Sequence, residues 1–412
     1  MKKAIDLFAG AGGLSTGLEM AGFEVLFANE VSETFSESLQ YNHPNTTVET
    51  GDIRNLCPKE IRENLSLKKG ELDLVAGGPP CQGFSINAPK RSTDDKRNHL
   101  FLDYLRFVKE FQPKVVLIEN VPGMVSYEKG GTIKAIIQSL QELGYSANVR
   151  VLYAAHYGVP QMRWRTIFLA TRLDINVDTL FPVPIYDVKG RPNFATSLDG
   201  RSLLTPDHLF NKSINGFINI ADAISDLPCI PNKGGEDIMS YSDLPKSNYQ
   251  KALRNSENQL YNHVCAGLGK ANLDRLPHIP QGGSWRDIPF ELLPKGMQRA
   301  KRSDHTQRYG RLALDGIGST ILTKCDPHWG RYIHPNQDRV LSVREAARIQ
   351  SFPDKCRFFG KLADQYMQVG NAVPPMFAKA IGESIFAILT EKKGSIPSES
   401  QDTNQVQLKL SI

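Results

Sequence analysis

Residues 4–15 read AIDLFAGAGGLS. An apolar run stops at a glycine-rich turn, and a leucine and a serine then open what reads as a helix. That strand–turn–helix unit sets a rhythm for the next 160 residues or so. EVLFANE (24–30), TTVETGD (46–52), LDLVAGG (72–78), KVVLIENV (114–121) and TIFLATR (166–172) are further short apolar runs bounded by Gly, Asp, Asn or Pro, and read as strands. Helical stretches separate them. In GTIKAIIQSLQELGY, Ile133, Ile136, Ile137, Leu140 and Leu143 share one face. Strands alternating with helices predict an α/β fold with a doubly wound, mostly parallel sheet, and ligands at the carboxyl ends of its strands.

The rhythm fails at about residue 173. Residues 173–338 are rich in Pro, Gly, Asn and Asp and predict a smaller, irregular domain with short strands such as STILTK (319–324). Helical patterning returns in VREAARIQSF (343–352) and MFAKAIGESIFAILTEKK (376–393). The expected division is 1–172, 173–338, 339–393, and a tail of disordered composition over 394–412. No uninterrupted apolar run approaches the roughly 20 residues of a membrane span, so a soluble cytoplasmic protein is expected. Six scattered cysteines form no CxxC pair, and no metal site is expected. The net charge of +5 is small, but residues 295–331 hold 8 Lys/Arg against 3 Asp/Glu. KGMQRAKRSDHTQRYGR there suits phosphate contacts as well as it suits a solvated basic surface.

Several residues at strand ends carry chemistry. The glycine turn lets backbone approach a ligand, and an acid at Glu30, 20 residues after Gly10, can accept ribose hydroxyls. Asp52 ends the third strand and could bind an adenine amino group. GGPPCQGFS (77–85) displays Cys81 where two prolines fix the approach and glycines allow close contact with a flat substrate. That is the setting of a nucleophilic thiol. Glu119 in ENVPG ends the next strand and faces the same crevice, where it could give a proton to a ring nitrogen. In QMRWR, Arg163 and Arg165 share one face of an extended segment. They could hold a substrate carbonyl or phosphate, or form ion pairs.

DLFAGAGGLS, NE (29–30), GD (51–52), GGPPCQGFS, RNHLF (97–101), ENV, QMRWR, REAARIQSFP (344–353) and QVGNAVPP (368–375) stand in the order found in DNA cytosine-5 methyltransferases. The chain resembles that family over roughly 1–172 and 339–390, and 173–338 falls where the family keeps its variable target-recognition region. The resemblance implies that Phe8, Gly10, Gly12, Glu30, Asp52, Pro80, Leu100, Asn371 and Val373 hold S-adenosylmethionine. It makes Cys81 the nucleophile, Glu119 the acid at the cytosine, and Arg163 and Arg165 the arginines beside them. Arg339 and Arg344 would organise the recognition domain.

Duplex DNA is the implied partner, with a cognate restriction endonuclease as a possible second and a monomer as the family expectation. Ser85, Arg286, Arg308 and Arg311 are the candidate DNA contacts, the arginines lying in QGGSWRDIP and QRYGRL. Lys90, Arg91, Lys96 and Arg97 give the loop after Cys81 the charge of a lid over DNA. Three rivals fit less well. A tRNA cytosine-5 methyltransferase would carry a Cys-Phe-Thr signature, which is missing. A catalytically dead relative would not need Cys81, Glu119, Arg163 and Arg165 intact. A nicotinamide dehydrogenase would carry GxGxxG and has no use for the PPC loop.

Overall fold

The computed structural model describes residues 1–80, 100–210, 216–255 and 258–391. Cys81, Ser85 and the basic loop to Arg97 lie outside the described residues. Seven strands build one sheet: β1 (Lys2–Leu7), β2 (Phe23–Glu30), β3 (Thr47–Thr50), β4 (Leu74–Gly77), β5 (Val115–Asn120), β6 (Ser146–Tyr153) and β7 (Trp164–Thr171). Their order is β3-β2-β1-β4-β5-β7-β6. The first five run parallel, while β7 pairs antiparallel with both β5 and β6. Strand β6 is an addition to the sequence reading. Its SANVRVLY carries a partly exposed Arg150 mid-strand, which masks the apolar run.

Helices α1 (Gly13–Met20), α2 (Glu33–Asn42), α3 (Pro58–Asn64), α4 (Leu100–Phe111) and α5 (Gly131–Glu142) connect the strands and cover the sheet. Tyr104 on α4 is fully buried and donates its hydroxyl to the carbonyls of Val75 (3.0 Å) and Leu117 (3.1 Å). On α5 the apolar face buries Ile133, Ile136 and Leu140.

The later region holds short elements: hairpin β8–β9 (Ser197–Leu198, Arg201–Ser202), α6 (Ile220–Ile224), β10 (Gly235–Ser240), α7 (Asn248–Arg254), β11 (Gln259–Val264), α8 (Lys270–Leu273), β12 (Gly310–Arg311) and β13 (Arg331–Ile333). Then come α9 (Val343–Ile349), α10 (Leu362–Asn371) and α11 (Pro375–Thr390). STILTK is not a strand. Its backbone groups bond to side chains instead: Ile321 N–H donates to Gln161 Oε1 (3.1 Å), and Arg163 donates to the Ile321 carbonyl (3.1 Å).

The cores cross the expected boundaries. Leu180 and Phe181 pack with the first sheet and α11, beyond residue 172. Ile220, Tyr249 and Leu253 share a cluster with Val343, Ala346 and Phe352, so residue 338 falls inside one core and not between two. The returning segment is α11, which lies against α1 so closely that a Cβ on Gly17 would sit 2.4 Å from the Ala378 Cβ. Leu362–Thr390 has the length and hydropathy of a membrane span. It is nevertheless two helices meeting at Pro374, and Phe377, Ala378, Ile381 and Ile385 are buried in the core.

Buried charge anchors this junction. Arg339 grips Glu345 through two contacts of 2.7 Å, and Glu345 also closes the capping box of α9 with Ser342. Arg348 holds both oxygens of Asp354 (2.6 Å each) and reaches Asp226 (3.1 Å), all fully buried. Arg344 donates to the carbonyls of Tyr261 and Cys356.

Candidate active site

Four strand ends and the start of α10's exit loop converge on the carboxyl edge of the sheet. At β1 the chain leaves through Phe8, a non-glycine residue held at φ 61°, and Gly10 at φ 59°. Gly10 N–H donates to Glu30 Oε2 (2.9 Å) and Ser32 N–H to Oε1 (2.9 Å), so the acid at the end of β2 also shapes the turn. Burial raises the Glu30 carboxyl, and those amides oppose the rise. Each oxygen keeps a second lone pair for a ribose hydroxyl. A Cβ placed on Gly10 would meet nothing within 4 Å, whereas one on Gly13 would strike the Val373 carbonyl at 2.4 Å. Val373 thus backs the turn, with Asn371 exposed beside it at the end of α10. Open space at Gly10, an acid at Glu30 and amides at the start of α1 fit a nucleoside whose ribose meets the acid and whose anionic group meets the amides.

Asp52 is more engaged than its sequence reading allowed. It caps the following turn and pairs with Arg54, which holds its carboxyl below the usual range. Leu100 begins α4 and, like Pro80, is partly buried. Gly12 sits against His43, whose Nδ1 meets Glu19 at 2.8 Å.

Asp6 escaped notice in the sequence. It is fully buried under the turn, accepts from Ser15 Oγ (2.7 Å), and leaves Oδ1 without a hydrogen-bond partner among the described residues. Burial pushes its carboxyl from 3.8 up to about 7, against the Ser15 hydrogen bond and the attraction of His43. The folded chain therefore holds a proton that the unfolded chain releases between those two values. Its contribution makes stability fall as pH rises through that window. Asp6→Asn is expected to flatten the pH dependence of the melting temperature between about pH 4 and 7. An unchanged profile would show Asp6 ionised in the fold.

At β4 and β5 two strand ends are tied together by side chains. Asn120 Nδ2 donates to the Pro79 carbonyl (2.9 Å) and its Oδ1 accepts from Val121 N–H (2.9 Å), tying the PP turn to ENV. A Cβ on Gly78 would stand 3.2 Å from Glu119 Oε2. That glycine makes room for the acid, where the sequence reading had assigned the space to substrate. Arg165 Nε lies 2.6 Å from Glu119 Oε1, and both side chains are mostly buried. Of the two readings left open for Arg165, the ion pair is the one observed.

Arg163 requires a correction as a substrate contact. It is 1% exposed, although it lies close enough to Glu119 and Arg165 to feel both charges. Its guanidinium donates to the carbonyls of Ile321, Gly370 and Ala372 (2.9–3.1 Å). Gln161 and Gln350 meet next to it, and Gln350 Nε2 reaches the Val369 carbonyl (2.7 Å). QMRWR, REAARIQSF and QVGNAVPP are thereby joined through polar side chains inside the core.

Arg311 is corrected in the same way. It is 6% exposed and donates to the carbonyls of Leu276, Ile279, His334 and Gln337 and to Asp338, so it has no free donor for a base. Arg286 and Arg308 stay partly exposed. Among the described residues no group of His, Cys, Asp and Glu could hold a metal.

A mostly parallel sheet with a glycine turn and an acid at its carboxyl edge is the architecture of a nucleoside-binding enzyme. Residues 2–387 match the C-5 cytosine-specific DNA methylases, and the chain belongs to that family; it is a DNA (cytosine-5)-methyltransferase. It is 34% identical to the Type II methyltransferase M.AgeI of Thalassovita gelatinovora, over 93% of this chain and 99% of the relative. It is equally identical to M.DdeI of Desulfomicrobium norvegicum, over 92% and 88%. Mouse DNA (cytosine-5)-methyltransferase 1 is 33% identical over 93% of this chain, which spans only 28% of that relative. A solved structure described as a DNA modification methyltransferase encoded within an E. coli prophage superposes with a TM-score of 0.70 at 25% identity, covering 95% of this chain and all of the other.

Proposed function

We propose that the chain methylates carbon 5 of a cytosine flipped out of duplex DNA, within one short target sequence, through a covalent bond between Cys81 and carbon 6. The supporting observation is the convergence of β4 and β5: Gly78 and Asn120 bring the turn that leads into Cys81 against the Glu119 carboxylate. Carbon 5 of cytosine is a weak nucleophile. Attack of the Cys81 thiolate on carbon 6 breaks the ring's conjugation, and Glu119 delivers a proton or hydrogen bond to N3 as electron density builds at carbon 5. S-adenosylmethionine, when bound, supplies an electrophilic methyl on its sulfonium. Loss of the carbon 5 proton to a base then expels the Cys81 thiolate and restores the ring. Because carbon 6 is stacked inside a duplex, the nucleotide must leave the helix first, at a cost of about a few kcal/mol.

Arg165 holds the Glu119 carboxylate in place, while residues 173–338 supply target recognition. The likeness to Type II methyltransferases supports a role as the protective half of a restriction–modification pair, with a cognate endonuclease as partner. A monomer acting in the cytoplasm goes with that role.

The test is bisulfite sequencing of plasmid DNA from a methylation-free host expressing the chain. Methylcytosine confined to one short motif is the expected result; none, from folded protein that binds S-adenosylmethionine, would overturn the duplex-DNA reading. Glu119→Gln keeps the shape but cannot give up a proton. It is expected to slow single-turnover methylation by about 10²–10⁴-fold while leaving cofactor affinity unchanged.

A further inference from the structure

With Arg311 occupied, three of the other cations in the recognition region are Arg286, Arg308 and Arg331. Among the described residues none of the three forms an ion pair, although Arg311 beside them pairs with Asp338. The nearby acids are already used in turns. Asp287 Oδ2 accepts from Ser284 N–H (2.8 Å), and Asp326 Oδ1 from His328 N–H (2.9 Å). Arg331 Nε is buried with no hydrogen-bond partner among the described residues. Burial lowers the Arg331 guanidinium, and repulsion from Arg286 adds to the effect, against the attraction of Asp287.

Beside these charges stands Trp329, 57% exposed. The Arg308 guanidinium lies 5.5 Å from its ring centre, and His328 meets the ring edge-on at 5.0 Å. His328 is held in turn by the Tyr309 hydroxyl (3.2 Å). The Arg308 guanidinium over the exposed ring leaves both groups open to a polyanion with apolar base edges. The patch is also coupled to the catalytic strands. Gln307, next to Arg308, accepts from Ser319 Oγ (3.3 Å), and Gly318 N–H donates to the Pro160 carbonyl (3.0 Å), three residues before Arg163.

We infer that Trp329, flanked by Arg308 and Arg331, is a DNA-contacting patch: the indole presses on base edges in a groove of the target duplex, and the two guanidiniums take flanking phosphates. Gly310 serves the same surface, because a Cβ there would lie 2.0 Å from Arg331 Cγ and displace that side chain. The inference rests on the proposed action on duplex DNA and adds residues that the sequence reading had not named.

The test uses the full chain with S-adenosylmethionine, the duplex found by bisulfite sequencing, and a duplex altered at one target base. Trp329→Ala is expected to weaken binding to the target about tenfold, with cofactor affinity and melting temperature unchanged and partial recovery in Trp329→Phe. Arg308→Ala and Arg331→Ala should each weaken both duplexes and reduce the slope of log affinity against log salt by about one. Leu244→Ala, at an 82% exposed site away from these residues, should bind like wild type. Target affinity and salt slope unchanged in all three patch variants, with an active wild type, would overturn the patch alone. A wild type that neither binds nor methylates duplex DNA would instead overturn the reading on which the patch depends.

Discussion

Cys81→Ser is expected to abolish methyl transfer, by at least about 10⁴-fold in single-turnover rate, while target-duplex and cofactor binding survive. A serine hydroxyl is far less acidic than a thiol, so it offers almost no anion at neutral pH to add to carbon 6. The described residues leading to position 81 are well anchored. Pro79 is buried and its carbonyl is held by Asn120, so the substitution should not disturb the turn. The decisive readout is a duplex carrying 5-fluorocytosine at the target. Fluorine blocks removal of the carbon 5 substituent, so the wild type should stay covalently attached to the DNA after methyl transfer. The serine variant should not. A trapped complex in Cys81→Ser would place the nucleophile elsewhere and sink the proposed mechanism.

Arg348→Met is expected to cost roughly 3–5 kcal/mol of stability. The methionine fills much the same volume but leaves two buried carboxylates, Asp354 and Asp226, without the cation that neutralises them. Asp354 keeps its hydrogen bond from the Tyr241 hydroxyl (2.5 Å) and a longer ion pair with Arg344 (3.7 Å), and Asp226 its weaker contact with Arg254 (3.4 Å). Neither replaces a guanidinium that spans both. Chemical denaturation should show a lower midpoint, and Asp226→Asn combined with Asp354→Asn should recover part of the loss in the methionine background. A stability within about 0.5 kcal/mol of wild type would mean that the cluster opens to water.

The parallel half of the sheet was legible because each strand is a short apolar run closed by a turn residue, as in KVVLIENV. At the antiparallel end TIFLATR read as a strand and is β7, but its neighbour did not. Strand β6 is interrupted by Arg150, whose side chain finds Asp178 (2.8 Å), a partner 28 residues away that no local pattern announces. The candidate site was legible wherever chemistry sits at a strand end: Glu30 and Glu119 lie at or next to the ends of β2 and β5. Arginines resisted the same reading. Arg163, Arg165, Arg308 and Arg311 look alike in sequence, yet one binds three carbonyls, one a carboxylate, one a tryptophan face and one four carbonyls and a carboxylate. Which of them faces solvent depends on chain segments far off in sequence. Asp6 was hidden for a similar reason, because nothing in DLFAG says that its carboxyl is buried against Ser15.

The polar joint of Gln161, Arg163 and Gln350 has a consequence for engineering new specificity. It gathers segments near residues 161, 321, 350 and 370, so a graft that imports a foreign recognition segment through residue 321 also carries the carbonyl that Arg163 binds. A chimera joined before Gly318 would retain the host's own seam, whereas one joined beyond Ile321 must bring a matching backbone path or forfeit the seating of the QVGNAVPP turn against the sheet.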